Sequence, residues 1–290
     1  LDFFRGNTIP TSIKINGKPT IQKSESLVAF SHLNLSSYKD RDYPVLFNMP
    51  AAMLERILHI NDERAIYLSR HFLVFLISVL GLYAIYSLGK MRFSSWKIGL
   101  IPVIFFLLSP RFFAESFYNS KDLVFLTFFC IATYTLFKLV LLLSYRWIFL
   151  HSIATALAIN VRIMGVLIVF ITTASIFLRL YQEGSHSYRK YMGVTFGYIF
   201  IMTIFTVALW PWLWENPVGH LIEGFRNMSL FSRGPEDVFF MGHIYKTRAL
   251  PWYYIPLYIL LTTPLFISVL FVLGASKTAL TFVGGVRYFL

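Results

Sequence analysis

The chain has 290 residues, of which 57% are hydrophobic and 14% charged, and its formal net charge is +12. Soluble domains carry roughly 25% charged residues, so this composition excludes an ordinary water-soluble globule. The basic residues lie between apolar runs and form no dense stripe, which favours anionic lipid headgroups over nucleic acid as their partner. The single cysteine, Cys130, excludes a disulfide within the chain.

Residues 1–67 are polar, with scattered Gly, Pro, Asn, Ser and Lys, and they predict an extracytoplasmic loop. Within this loop Leu46, Met49, Met53 and Ile57 recur at helical spacing, which indicates a helix lying on the membrane or packed on the protein. The chain begins at Leu1 instead of Met, with no signal segment. We therefore expect a piece of a longer protein, with further spans on both sides.

Residues 68–290 predict a transmembrane helical domain, because a helix of roughly 20 apolar residues crosses a bilayer core. Seven apolar segments follow one another, at 68–88, 98–109, 123–143, 147–159, 163–180, 193–213 and 252–273. The second and fourth are short enough for a re-entrant segment. The predicted fold is all-α and polytopic, with about seven transmembrane helices and a loop at 214–251.

If all seven segments are spans, residues 1–67, 110–122, 160–162 and 214–251 lie on one side of the membrane. The short connections on the other side carry eight cations, namely Lys90, Arg92, Lys97, Arg146, Arg179, Arg189, Lys190 and Lys277. Because positive charge in short loops marks the cytoplasm, the first set of stretches is predicted to face outward.

The connection 110–122 is the densest polar stretch between two apolar segments. It contains Arg111, Glu115, Asn119, Lys121 and Asp122. A carboxylate at the start of a span gains from the helix dipole, and Asn119 can cap the same end, so helix capping is one reading. Capping alone does not explain the cations Arg111 and Lys121, which suit a lipid phosphate.

Two further places combine charge with apolar surroundings. Asn160 and Arg162 interrupt an apolar stretch, where an ionisable residue is a functional candidate unless it only reaches the headgroups at a helix end. Glu215 and Arg248 lie beside aromatic-rich segments that an interfacial belt of Trp and Tyr explains in large part. All four could line an outward cavity.

Several motifs are absent from the sequence. It has no Walker loop, no dinucleotide fingerprint and no paired-histidine metalloprotease motif. No cofactor and no metal site is therefore evident, and a divalent metal requirement stays open. An outward-facing enzyme has no nucleotide supply, which favours a donor already activated on a lipid.

The stretches 110–122, 160–162, 210–217 and 248–256 resemble those of the GT-C class of polyprenyl-phosphate sugar transferases. Within that class they resemble the protein O-mannosyltransferase and aminoarabinose-transferase superfamily, which is similar to glycosyltransferase family 39. This resemblance implies a hexosyltransferase of mannosyltransferase type with an outward-facing cavity. Its donor would be a polyprenyl-phosphate-linked sugar, and the protein would contact membrane lipid. It would lie in a bacterial inner membrane with its active site facing the periplasm.

The resemblance also implies residue roles. In relatives an acidic pair in the first external loop provides the general base for inverting transfer, and here that pair is expected upstream of Leu1. The sequence Asp40-Arg41-Asp42-Tyr43-Pro44 is similar to the later part of that loop, which makes Arg41 a phosphate ligand and Asp40 and Asp42 fallback bases. Asp122 matches the second acidic position and is the first candidate for catalysis. Arg111, Lys121, Arg162 and Arg248 are the other candidate phosphate ligands.

Two other classes stay open from the sequence. A transporter or lipid flippase would place charges near the middle of its spans and show related halves, but here the charges lie at segment ends and no duplication is visible. A non-catalytic membrane scaffold would use the aromatic loops only as anchors.

Overall fold

The computed structural model describes residues 42–184, 187–229 and 237–283. Eleven helices lie in these ranges: α1 Asn48–Ile57, α2 Glu63–Phe93, α3 Trp96–Leu107, α4 Pro110–Tyr118, α5 Asp122–Leu142, α6 Tyr145–Ile159, α7 Val166–Glu183, α8 Tyr188–Leu209, α9 Pro217–Ser229, α10 Tyr254–Thr262 and α11 Leu265–Val283. Two strands, β1 Asp237–Phe240 and β2 His243–Lys246, form an antiparallel hairpin. The predicted all-α polytopic fold is confirmed, with this small hairpin as an addition.

Fewer than seven helices in the described ranges meet a length and hydrophobicity criterion for crossing a membrane. Four helices in the described ranges are long and apolar enough to cross a membrane: α2, α5, α7 with the turn before it, and α8. Two bent pairs raise the number to six if each pair is one span. Helix α6 has 15 residues, which is shorter than the roughly 20 that a bilayer core requires.

The two bent pairs of helices lie where the sequence predicts a loop, at 110–122, and a single apolar segment, at 252–273. Helices α3 and α4 meet at 77°, so 110–118 is a helix where a loop was expected. Pro110 explains this, because proline fits the first turn of a helix, where its missing N–H costs nothing. Helices α10 and α11 meet at 119° around Pro264, so 252–273 is not one straight helix.

Glycines allow the neighbouring helices to approach each other closely. A Cβ added at Gly81 of α2 would lie 2.7 Å from Oγ1 of Thr127 in α5, and that hydroxyl donates to the carbonyl of Ile77. A Cβ at Gly99 of α3 would lie 2.9 Å from the backbone of Tyr86 in α2. Small residues at helix contacts are the usual means of packing spans in lipid.

Helices α5 to α8 form the packed centre of the structure. Helix α6 returns antiparallel to α5, as the 2.9 Å contact between Thr135 and His151 shows, and α7 returns antiparallel to α6. Helix α8 runs parallel to α6, because Ser152 and Asn160 bond to the carbonyls of residues 198 and 206. The stretch around Asn160 therefore makes a turn between two oppositely directed helices, as predicted.

Two short helices lie at the end of the bundle where α2 and α5 begin, which we call the site end. Glu55 of α1 is buried and pairs with Arg70 of α2 at 2.6 Å and 3.2 Å, which fastens α1 to the bundle. Helix α9 packs on a short 3₁₀ turn, Pro211–Trp214, where the His220 ring stacks on Trp212 at 4.5 Å. Both helices thereby border the same end of the bundle.

Candidate functional site

An ion pair between Asp122 and Arg162 joins two parts of the bundle at the site end. Asp122 is the first residue of α5, and Arg162 lies in the turn that follows α6. Their side chains are 56% and 39% exposed, so both are accessible from outside the protein. The sequence predicts that these two residues face one cavity, and the structure brings them into direct contact.

The turn that carries Arg162 is held by buried contacts. Asn160 is fully buried, and its Nδ2 donates to the carbonyls of Ala156 at 2.9 Å and Thr206 at 3.3 Å. A Cβ added at Gly165 would lie 2.6 Å from the backbone nitrogen of Ile159, so only glycine fits this tight turn. Asn160 thus stabilises the turn that carries Arg162 and does not line the site.

A network of hydrogen bonds leads from Asp122 back along α4. Nδ2 of Asn119 donates to Glu115 Oε2 at 3.0 Å and to Asp122 Oδ2 at 3.1 Å. Oδ1 of Asn119 accepts from the backbone N–H groups of Lys121 and Asp122. Arg111 donates to Glu115 Oε1 at 3.0 Å. Capping of α5 by Asn119 is therefore present, together with bonds to two carboxylates.

A pocket opens beside the ion pair. It is lined by Tyr43, Pro44, Phe47, Asn48, Ser120, Lys121, Val161, Arg162 and Met228. Lys121 and Arg162 supply two cations, and Nζ of Lys121 lies 4.6 Å from the ring centre of Tyr43. Because an anion with several oxygens can be held by such cations together with hydroxyl and amide donors, the pocket suits a phosphate group.

Asp42 lies next to this pocket without lining it. Its side chain is buried and accepts a hydrogen bond from Nδ2 of Asn227 at 2.9 Å. Asp40 and Arg41 lie outside the described residues.

Three other predicted site residues lie away from the pocket. Arg111 pairs with Glu115 and places its guanidinium 5.6 Å from the ring centre of Tyr258. Glu215 and Arg248 are exposed, and neither belongs to the pocket lining. Of the predicted site residues, Asp122, Lys121 and Arg162 thus lie close together. Asn119 bonds to the first two, and Asn160 stabilises the turn that carries Arg162.

Several pocket residues had no signal in the sequence. Met228 comes from the amphipathic helix α9, and Phe47 directly precedes α1, whereas Tyr43 and Pro44 belong to the stretch 40–44 that the sequence already singles out. Ser120 and Val161 are neighbours of predicted residues. Among the described residues no group of three or more His, Cys, Asp or Glu side chains could hold a metal ion.

A bundle of long apolar helices with partly exposed charged groups at one end is the architecture of an integral multi-pass membrane protein. The sequence model of the dolichyl-phosphate-mannose-protein mannosyltransferase family matches residues 44–212, which is more than half of the chain. The chain belongs to this family and is therefore a membrane glycosyltransferase of mannosyltransferase type. The resemblance stated from the sequence is confirmed. No curated protein and no solved structure matches the chain.

Proposed function

We propose that the protein transfers a hexose, of the mannose type, from a polyprenyl-phosphate carrier to an acceptor on the extracytoplasmic side of the membrane. The observation that carries this proposal is the pocket in which Lys121 and Arg162 lie together at the end of two membrane helices. A lipid-linked phosphate needs a cationic site near the bilayer surface, and two cations at the ends of apolar helices support such a donor. Membership of the family supports the same donor class.

The proposed chemistry is a single inverting displacement. The acceptor oxygen forms a bond to the anomeric carbon while the bond from that carbon to the carrier's phosphate oxygen breaks. A carboxylate takes the acceptor proton, and polyprenyl phosphate leaves with the bonding electrons. Lys121 and Arg162 stabilise the charge that develops on the leaving phosphate, which is the type of contribution that preorganised cations make.

Asp122 is our first candidate for the base. Its oxygens accept from Arg162 and from Asn119, and a carboxylate has roughly four acceptor positions, so capacity remains for an acceptor hydroxyl. Asp42 is the second candidate, since it lies beside Tyr43 at the pocket edge. Asp40 and Arg41 stay candidates for the base and for phosphate binding, respectively.

The end of the bundle that holds the pocket is proposed to face the periplasm of a bacterial inner membrane. The short connections at the opposite end carry Lys90, Arg92, Lys97 and Arg146, as cytoplasmic connections do. A lipid-linked donor also removes the need for nucleotides on the outer side.

The test uses the full-length parent protein in membranes supplied with polyprenyl-phosphate mannose that is labelled in the sugar. We expect Arg162→Ala and Asp122→Asn each to lower incorporation of label by about 100-fold, the usual effect of losing one electrostatic or general-base group. Arg146→Ala is the matched control, because it removes an exposed cation from the opposite end of α6. It should change incorporation by about twofold or less.

Wild-type transfer in both Arg162→Ala and Asp122→Asn would show that these assignments are wrong. Passage of substrate through proteoliposomes without any covalent product would instead identify a transporter.

A further inference from the structure

We infer that Asn119 is a positioning residue whose side-chain amide holds Asp122 against Arg162 and so fixes both pocket cations. This inference rests on the proposed function. It assigns a role to a side chain that neither lines the pocket nor touches the phosphate.

The side-chain amide of Asn119 donates two hydrogen bonds and accepts two, which is all that an amide can form. The two N–H groups of Nδ2 are directed to different carboxylates, at 3.0 Å to Glu115 and 3.1 Å to Asp122. Oδ1 accepts from the backbone of Lys121 at 3.2 Å and of Asp122 at 2.7 Å. An aspartate at this position could accept the two backbone bonds but could donate to neither carboxylate.

The charges around Asn119 explain why such a donor is needed. Glu115 and Asp122 are both bonded to one amide group, so two negative charges are held close together. Each has a cation on its far side, Arg111 for Glu115 and Arg162 for Asp122. The amide supplies the positive hydrogens between the carboxylates, and without it their repulsion would turn Asp122 away from Arg162.

The position of Asn119 affects both cations of the pocket. Arg162 forms an ion pair with Asp122, and its side chain is 39% exposed. Lys121 receives its backbone position from the bond to Oδ1 of Asn119. Loss of the amide donors should therefore weaken phosphate binding through Arg162, while the cap of α5 remains.

Asn119→Asp separates these two contributions. The variant has the same shape and retains the capping oxygen, but it loses both N–H donors and adds a third carboxylate. We expect its Kd for a short-chain polyprenyl phosphate to rise about tenfold, because hydrogen bonds to charged groups are the strong ones. The measurement is titration of the full-length protein in detergent, with thermal unfolding recorded in parallel.

Two further variants keep the result interpretable. Asn216→Asp is the control for an Asn-to-Asp change at a helix start, because Asn216 directly precedes α9 and its Oδ1 accepts from Gly219 at 3.0 Å, and it should leave the Kd unchanged. Glu115→Gln combined with Asn119→Asp returns the cluster to two carboxylates and offers an amide donor from position 115. That double variant should recover the Kd to within about threefold of wild type, since directly bonded residues couple strongly.

Wild-type Kd in Asn119→Asp would overturn the inference, as would a rise in Kd without recovery in the double variant. Loss of the fold in Asn119→Asp would be met with Asn119→Ser, which keeps a neutral capping oxygen and should still raise the Kd. Failure of the wild-type protein to bind polyprenyl phosphate would overturn the proposed function itself, which is a different result from equal binding by wild type and variant.

Discussion

Polar side chains in the middle of the helix bundle differ from those at its site end in burial and in hydrogen bonding. In the middle, His151 is fully buried, with Nδ1 2.9 Å from the Thr135 hydroxyl and Nε2 2.8 Å from that of Thr172. Its ring also stacks on Tyr198 at a centre distance of 5.0 Å. At the site end, Asp122 and Arg162 are charged and partly exposed.

The difference follows from the solvent that each region meets. Inside a bilayer no water can satisfy a polar group, so both ring nitrogens of His151 are bonded within the protein and no capacity is left for a ligand. At the site end water is available, and charged groups can persist with free bonding positions. Burial of a polar residue between spans therefore indicates packing, whereas an exposed charged pair at a span end keeps positions for further hydrogen bonds.

The largest effect is expected at the turn that connects the two regions. Gly165→Val places a Cβ within 2.7 Å of two backbone atoms of residues 158 and 159, which cannot move without opening the turn. We expect a loss of about 3 kcal/mol or more in stability, as for overpacking of a tight site, together with loss of transfer. Thermal unfolding in detergent and the labelled-sugar assay measure the two effects. A fully active, equally stable variant would contradict the described turn.

A smaller effect, on stability alone, is expected in the middle region. His151→Ala removes a ring that packs on Tyr198 and the two ring nitrogens that contact the hydroxyls of Thr135 and Thr172, which should cost about 2 to 3 kcal/mol. Transfer per folded molecule should remain near wild type. The variant is thus the opposite of Arg162→Ala, which should lose transfer and retain stability. A catalytic loss in folded His151→Ala would show that the two regions are not separate.

The smallest effect is expected from one hydroxyl between α2 and α5. Thr127→Val replaces the group that donates to the carbonyl of Ile77 at 3.2 Å with a methyl group of similar size. Interhelical hydrogen bonds in membrane proteins contribute about 0.6 kcal/mol on average, so a change of that order in stability is expected. Ser78 is a matched position, because its hydroxyl bonds within its own helix, to Phe75, and Ser78→Ala should have less effect. A larger loss in Ser78→Ala than in Thr127→Val would contradict this ranking.

The helices could be predicted because length and hydrophobicity determine them. All seven apolar segments are helical, and the turn at Asn160 lies where the polar residues interrupt the apolar run. The angles of the bends at Pro110 and Pro264 could not be predicted, since proline ends or redirects a helix without specifying the direction. The division at residue 67 between loop and membrane domain stays a prediction, and α2 begins at Glu63.

The site residues that lie at the ends of spans could be predicted. Those whose position depends on the direction of a side chain could not. The order of the spans predicts one common side for Asp122, Lys121 and Arg162, but it predicts the same side for Glu215 and Arg248, which lie away from the pocket. Arg111 was expected beside them, but 110–118 is helical, and one helical turn directs Arg111 to Glu115. Met228 could not be found, because its contact with the pocket depends on how α9 folds back over the bundle.

The hydrogen bond between Asn227 and Asp42 joins residues 185 positions apart, and the pocket has walls from both ends of that interval. A nascent chain therefore has no complete pocket until α9 has been synthesised, after most of the spans have been inserted. A ribosome-bound intermediate would then hold the two cations with one wall of the pocket missing.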